Sequence, residues 1–144
     1  MKASPRVISF IKGFEGFRAA AYVPVKDDKL TIGYGFTAGV KAGDTMTRAE
    51  ADARFIEELA KYEYAVELAT HERCTQSQFD ALVSLAYNIG IGALQKSTVL
   101  KAHNREDFAA AARAFALYNK SGGKVYPGLA KRRAAEAAMY LESS

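Results

Sequence analysis

The sequence predicts an α+β fold, with a strand-poor N-terminal third followed by a helical C-terminal two thirds. Three observations predict it. Two capping boxes, Thr47 with Glu50 and Thr75 with Gln78, each open a long run of helical apolar spacing. Two strand-like stretches flank the polar run Lys26-Asp27-Asp28-Lys29, and Gly35, Gly39 and Gly43 then punctuate a stretch of hairpin and loop. At 144 residues the chain forms one domain, 1–144, by size. A hairpin part is expected over roughly 16–45 and a helical part over roughly 47–144 with the N-terminal helix added. A cleft is expected where the two parts meet.

Ser4 before Pro5 marks the first helix start, because a side-chain oxygen caps free amides and proline suits the first helical position. Val7, Ile8, Ile11 and Phe14 supply its apolar stripe, and Gly16 its stop. Strands are expected at 21–25 and 30–34. From Thr47 a long helix or broken pair, carrying Ala51, Phe55, Ile56 and Leu59, should run to about Ala69. The run opened by Thr75 carries Phe79, Leu82, Val83, Leu85, Ala86 and Ile89 up to Gly90, and is the expected central buried helix. Ser97 is a cap candidate for Thr98-Val99-Leu100, and Asn104 for the segment 108–118. Ser121-Gly122-Gly123 and Pro127-Gly128 delimit a loop before a last helix over 129–141.

The apolar share of 49% with 25% charged residues is that of a globular chain and excludes long disorder. Net charge +4 and a pI near 9.2 favour anionic partners through the field of the whole surface. Cys74 is the only cysteine, so no intrachain disulfide forms and a reducing compartment suits the chain. Pro5, Arg6, Lys12 and Glu15 break the first apolar stretch, which is too short and too charged for a secretory signal or stable membrane insertion. His71 and His103 are too few and too far apart for a metal site, and neither metal nor cofactor is expected.

Glu15 lies four residues after Ile11 and seven after Ile8, so it projects from the apolar stripe. Desolvation there and the negative end of the helix dipole both disfavour its charged form, the requirement for a general acid near neutral pH. Position alone favours a last-turn Glu turned to solvent or paired with Arg18. Asp27 and Asp28, between Lys26 and Lys29, should stay ionised and so suit the complementary role of holding an attacking water or stabilising an oxocarbenium-like transition state. Turn chemistry is the bland alternative for both. Thr31 starts the second strand, where its hydroxyl can hold a water, and Gly33 and Gly35 allow close approach of a polymer or another backbone.

In order along the chain, these pieces resemble the phage-type lysozymes, or endolysins, of glycoside hydrolase family 24. The resemblance rests on Phe14-Glu15-Gly16-Phe17-Arg18 with Ala21-Tyr22, Thr31-Ile32-Gly33-Tyr34-Gly35 with Thr37, and Met46-Thr47 with Glu50-Ala51. It continues through Gln76-Ser77-Gln78-Phe79-Asp80-Ala81-Leu82, Asn88-Ile89-Gly90, Ser97-Thr98-Val99-Leu100, and Gly128-Leu129 with Arg132-Arg133 and Glu136. It implies a lysozyme-like fold and a monomeric muramidase that cuts the β-1,4 bond between N-acetylmuramic acid and N-acetylglucosamine in peptidoglycan. It further implies Glu15 as the acid, Thr31 as the family's threonine, and Tyr87 and Ser97 as substrate contacts. Inversion at the anomeric carbon is the default it carries. The family's Asp has no clean match: its usual spacings land on Pro24 and Val25, and the interval from Glu15 to Thr31 is one residue longer than usual. Asp28 is assigned the role, with Asp27 the alternative. Phe36 stands where many relatives carry His. Without a signal-anchor helix, the chain looks like the kind that waits in the host cytoplasm until a holin opens the membrane.

Two other readings compete. A basic nucleic-acid binder would use the run Lys131-Arg132-Arg133, but Glu136 and Glu142 share that segment, and no nucleic-acid partner is expected. A non-catalytic wall-binding module would keep the lysozyme fold with the altered turn having cost activity.

Overall fold

The computed structural model describes residues 1–24 and 29–142, so the turn with Asp27 and Asp28 lies outside the described residues. The elements run α1 (Pro5–Glu15), β1 (Arg18–Tyr22), β2 (Thr31–Gly33), α2 (Arg48–Ala69), α3 (Gln76–Ile89), α4 (Ile91–Gln95), α5 (Thr98–Asn104), α6 (Phe108–Ala114), a 3₁₀ turn (Phe115–Leu117), β3 (Lys120–Ser121), β4 (Lys124–Val125) and α7 (Pro127–Tyr140). This is the α+β arrangement the sequence predicts. The chain divides into two compact units, 8–60 and 1–7 with 61–144, the divisions falling within α1 and α2.

In the unit 8–60, Gly16 takes φ +72°, a conformation that costs an L side chain about 1 kcal/mol or more, and so ends α1. Strand β1 pairs antiparallel with β2, Arg18 opposite Gly33 and Tyr22 opposite Thr31. It starts three residues earlier than expected, at Arg18 instead of Ala21. The reason is backbone pairing on its second edge: the Ala21 amide donates to the Asp44 carbonyl (2.9 Å) and the Met46 amide to the Ala19 carbonyl (2.8 Å). Because 18–20 are solvent-exposed, no apolar alternation announces them. Strand β2 is also shorter than expected: Tyr34-Gly35 forms a turn that brings Phe36 back opposite Ile32, with two 2.9 Å backbone bonds. Tyr34 centres the core of this unit, its ring 5.7 Å from Phe17, 6.3 Å from Phe36 and 5.8 Å from Phe55. Such tilted and edge-on pairs add about 0.5–1.5 kcal/mol each beyond area burial. The Thr47 box forms as predicted: the Thr47 amide donates to Glu50 Oε1 (2.9 Å) and the Glu50 amide to Thr47 Oγ1 (3.1 Å).

The other unit is built on α3, which is buried from Ser77 to Ala86 and packs chiefly on α7. Its Thr75–Gln78 box forms in full, and Gly90 closes it with φ +96°. The N-terminal residues are tied down by Asp80, whose carboxylate accepts from the Ser4 amide (3.1 Å), the Ser4 hydroxyl (2.5 Å) and the Gln76 side-chain amide (2.8 Å). Several expectations need correction here. Asn104 does not cap the 108–118 segment; Asp107 does, accepting from the Ala110 amide at 3.2 Å, while Asn104 closes α5 and donates to the Ala69 carbonyl. The 120–125 stretch is a small hairpin, β3 with β4, turned by Gly122 and Gly123 at positive φ. Helix α7 starts at Pro127, two residues earlier than expected, because proline needs no amide partner in a first turn. Helix α4 had no sequence signal strong enough to place it.

The basic run at 131–133 is not a surface patch. Arg132 is 3% and Arg133 1% exposed, and both surround Glu136, which is fully buried. Arg132 Nε donates to Glu136 Oε2 at 3.2 Å, and its Nη2 to the Ser84 carbonyl at 3.1 Å. Arg133 Nε lies 3.2 Å from Glu136 Oε1, its Nη2 donates to Asn88, and the Ser84 hydroxyl donates to Glu136. Burial pushes the Glu136 carboxyl up, and the charges of Arg133 and Arg132 with the Ser84 hydroxyl pull it back.

His103 is the second buried polar group of consequence. A carbonyl can only accept, so Nε2 carries the proton toward the Arg73 carbonyl (2.8 Å) and Nδ1 accepts from the Tyr140 hydroxyl (2.6 Å). Cys74 Sγ lies 3.6 Å from Nε2. Burial pushes the imidazole below its ordinary value, with the bond to Arg73 opposing. Unfolded, the ring titrates near 6.5, so on acidification the unfolded chain takes up the proton first. The stability contributed by the neutral ring is complete above that pH and falls below it. Thermal melts from about pH 8 to about pH 5 should show a falling midpoint, and His103→Asn should flatten the slope.

Candidate active site

Glu15 is the last residue of α1 and is half-buried. Its Oε1 lies against Gly35: a Cβ built at Gly35 would stand 2.5 Å from it, with φ +85° at that residue. Only glycine satisfies both the turn and the carboxylate. Gly35→Ala is accordingly expected to displace the Glu15 carboxylate, lower activity at least about tenfold and cost about 1–3 kcal/mol, measured by turnover and by denaturant unfolding. Gly33 is tied in the same manner, since a Cβ there would meet the Phe36 ring at 2.6 Å.

Thr31, at the start of β2, is buried at 6% exposure, and its hydroxyl donates to the Lys29 carbonyl at 3.0 Å. That bond uses the hydroxyl proton and orients the oxygen as an acceptor. The structure thus sets Glu15 against the turn that continues the Thr31 strand. Phe36 is core: its ring is 2% exposed, edge-on to Tyr34, with the Arg54 guanidinium 4.7 Å from its centroid.

A group that sequence reasoning missed is Asp52 of α2. Its Oδ1 accepts from Lys12 Nζ at 3.0 Å and from the Tyr34 hydroxyl at 2.9 Å, and Arg48 Nη1 donates to the same hydroxyl at 3.4 Å. Hydrogen bonds from Lys12 and Tyr34, with the charges of Lys12 and Arg48, hold the Asp52 carboxyl below the usual carboxylate range. The available signal was a carboxylate one residue after Ala51 and three before Phe55, both of them buried positions of α2.

Tyr87 and Ser97 belong to the other compact unit. Tyr87 is half-buried, with its ring 5.1 Å from that of Tyr62. Ser97 is 1% exposed and caps α5, its Oγ accepting from the Leu100 amide at 3.0 Å.

Residues 12–136 match the phage lysozyme family. The chain is 43% identical to the endolysin of Bacillus phage B103 over 98% of its own length, and spans about half, 54%, of that relative. It is 36% identical to the endolysin of Salmonella phage P22, covering 98% of this chain and 99% of that one. Among solved structures, the muramidase domain of SpmX from Asticcacaulis excentricus superposes with a TM-score of 0.89 at 36% identity, covering 99% of each chain. With the family match spanning α1 to α7 and including Glu15, Thr31 and Gly35, the chain belongs to the phage lysozyme family.

Proposed function

We propose that this chain is a muramidase that hydrolyses the β-1,4 bond between N-acetylmuramic acid and N-acetylglucosamine in peptidoglycan, serving host-cell lysis. Glu15 donates its proton to the glycosidic oxygen as the bond from the anomeric carbon breaks. Asp28, or Asp27 in its place, takes a proton from the attacking water, and Thr31 holds that water. Tyr87 and Ser97 contact the sugar chain. The configuration inverts in this scheme, since the water enters opposite the leaving oxygen. The observation that carries the reading is the carboxylate of Glu15 seated against Gly35, within a family match that covers 12–136.

Supporting the lytic role, the chain's relatives include endolysins matched over nearly their whole length, such as that of phage P22. Among the described residues no helix is long and apolar enough to cross a membrane. Release from the host cytoplasm through a holin lesion belongs to the same proposal.

The test is release of reducing ends from purified peptidoglycan. New ends at a rate proportional to enzyme are expected. The displaced spacing of the turn aspartates favours one rival, a wall-binding module without activity, and protein that pellets with peptidoglycan but releases no ends would establish that rival instead.

A further inference from the structure

Along the second half of α2, Lys61, Tyr64 and Leu68 recur at three- and four-residue intervals and so share one helix face. That face and the corner of α4 with α5, through Ile91, Gln95 and Leu100, line a groove of about 750 Å³. All of the lining belongs to the unit that holds 61–144, whereas Glu15 belongs to the other. Tyr64 is 65% and Leu68 59% exposed, two large side chains four residues apart and left largely in water. The same turns of α2 bury Val66 and Thr70, so packing inside the unit is served by a different face.

The charge around the groove has one sign. Lys61 lines it, and the lining residues Gln95 and Leu100 are followed in the chain by Lys96 and Lys101, both exposed. Neither Lys96 nor Lys101 makes an ion pair among the described residues. No acidic residue is among the described lining residues. The two acids of α2 between 61 and 69 are committed to the N-terminal residues: Glu63 accepts from the Ala3 amide at 2.6 Å, and Glu67 pairs with the N-terminal ammonium.

An apolar floor edged by ammonium groups, with a tyrosine at its rim, has the chemistry of a membrane-surface site. Acyl chains take up the apolar side chains, the phenol sits at headgroup depth, and lysine stems lie on apolar surface while their ammonium groups stay with anionic phosphates. A second copy of the chain fits poorly, because a twofold axis through the groove would set Lys61, Lys96 and Lys101 against themselves. A protein partner calls for about 20–30 residues a side, and the lining comes from two short stretches, 61–69 and 91–100.

We propose that this groove docks the protein on the surface of an anionic phospholipid bilayer, with Tyr64 and Leu68 entering the interface and Lys61, Lys96 and Lys101 meeting the lipid phosphates. The contact is peripheral and reversible. Glu15 and its proposed role in hydrolysis take no part in it.

Because the chain has no tryptophan, Leu68→Trp places a single fluorophore at the groove, and Val125→Trp places one on the β3–β4 hairpin, at a residue 50% exposed. The full chain is mixed with vesicles of phosphatidylcholine alone and of phosphatidylcholine with phosphatidylglycerol. On the anionic vesicles the Leu68→Trp emission should shift to the blue and be quenched by lipids brominated in their acyl chains, and Val125→Trp should change little. In sedimentation with the same vesicles, Lys96→Gln with Lys101→Gln should bind about 25-fold more weakly than wild type, about fivefold for each lysine removed. Lys120→Gln with Lys124→Gln removes the same charge from the hairpin and should stay within about threefold of wild type. Tyr64→Ser with Leu68→Ser should weaken binding about tenfold or more at unchanged charge. Every side chain changed is exposed, so the variants should melt with the wild type; Tyr64→Trp reports on the same face if Leu68→Trp does not fold. Equal losses from the two lysine pairs, equal quenching of the two tryptophans, or binding that inorganic phosphate removes better than chloride at matched ionic strength overturns the inference. So does a wild-type chain that fails to sediment with the anionic vesicles.

Discussion

Glu15→Gln is expected to lower reducing-end release by about 10²–10⁴-fold, the usual contribution of a positioned general acid, without changing the unfolding temperature. The amide has the shape of the carboxyl and keeps an oxygen beside Gly35, so the turn has no reason to move. What disappears is the proton. An alkoxide leaves a sugar poorly unless its oxygen is protonated as the bond breaks, so the loss should fall on kcat, with KM nearly unchanged. Turnover above about a tenth of wild type in a folded Glu15→Gln protein would place the acid elsewhere.

Glu136→Ala is expected to be the most destabilising single change, by about 3–5 kcal/mol, measured as a fall in denaturant midpoint. It removes the carboxylate shared by the guanidinium groups of Arg132 and Arg133, both under 4% exposed, and leaves two buried positive charges beside neutral acceptors such as Ser84 and Asn88. The Ser84 hydroxyl loses its acceptor in the same step. Lys131→Ala, one residue from Arg132 but solvent-exposed, should stay within about 0.5 kcal/mol of wild type. The contrast separates three adjacent basic residues that look alike in sequence. If Glu136→Ala instead melts near wild type, the cluster relaxes or hydrates on loss of the anion.

Much of the helical architecture was legible because its signals are local. Thr47 with Glu50 and Thr75 with Gln78 satisfy amide groups three residues away, and Ser97 does the same for Leu100, so their effect does not wait on distant packing. Glycines at 16, 35 and 90 stop or turn the chain by their own dihedral freedom. Part of what was misplaced has its deciding partner remote in sequence. Strand β1 extends to Arg18 through bonds to 44–46, whereas the cap of α6 is a local matter: Asp107 directly precedes Phe108 and reaches the Ala110 amide, and Asn104 lies too early, at the end of α5.

For the site the same division holds. A carboxylate at the end of an apolar helix and a threonine before a glycine-rich turn are patterns in the chain that left their roles open, and the family resemblance singled out Glu15 and Thr31. Asp52 carried no such pattern, because its meaning lies in meeting Lys12 across 40 residues and Tyr34 across 18. Likewise a run of three basic residues near the C-terminus reads as charge on a surface until Ser84 and Asn88 are seen beside it.

The amino-acid sequence by itself determined the α+β class, the main helix starts and the family, since capping, periodicity and short motifs act over a few residues. Tertiary structure alone decided which charges are buried, as at Arg132, Arg133 and Glu136, and which distant partners meet, as Asp52 meets Lys12 and Tyr34. Desolvation and Coulomb energy depend on distance in space, and a linear pattern does not record that distance.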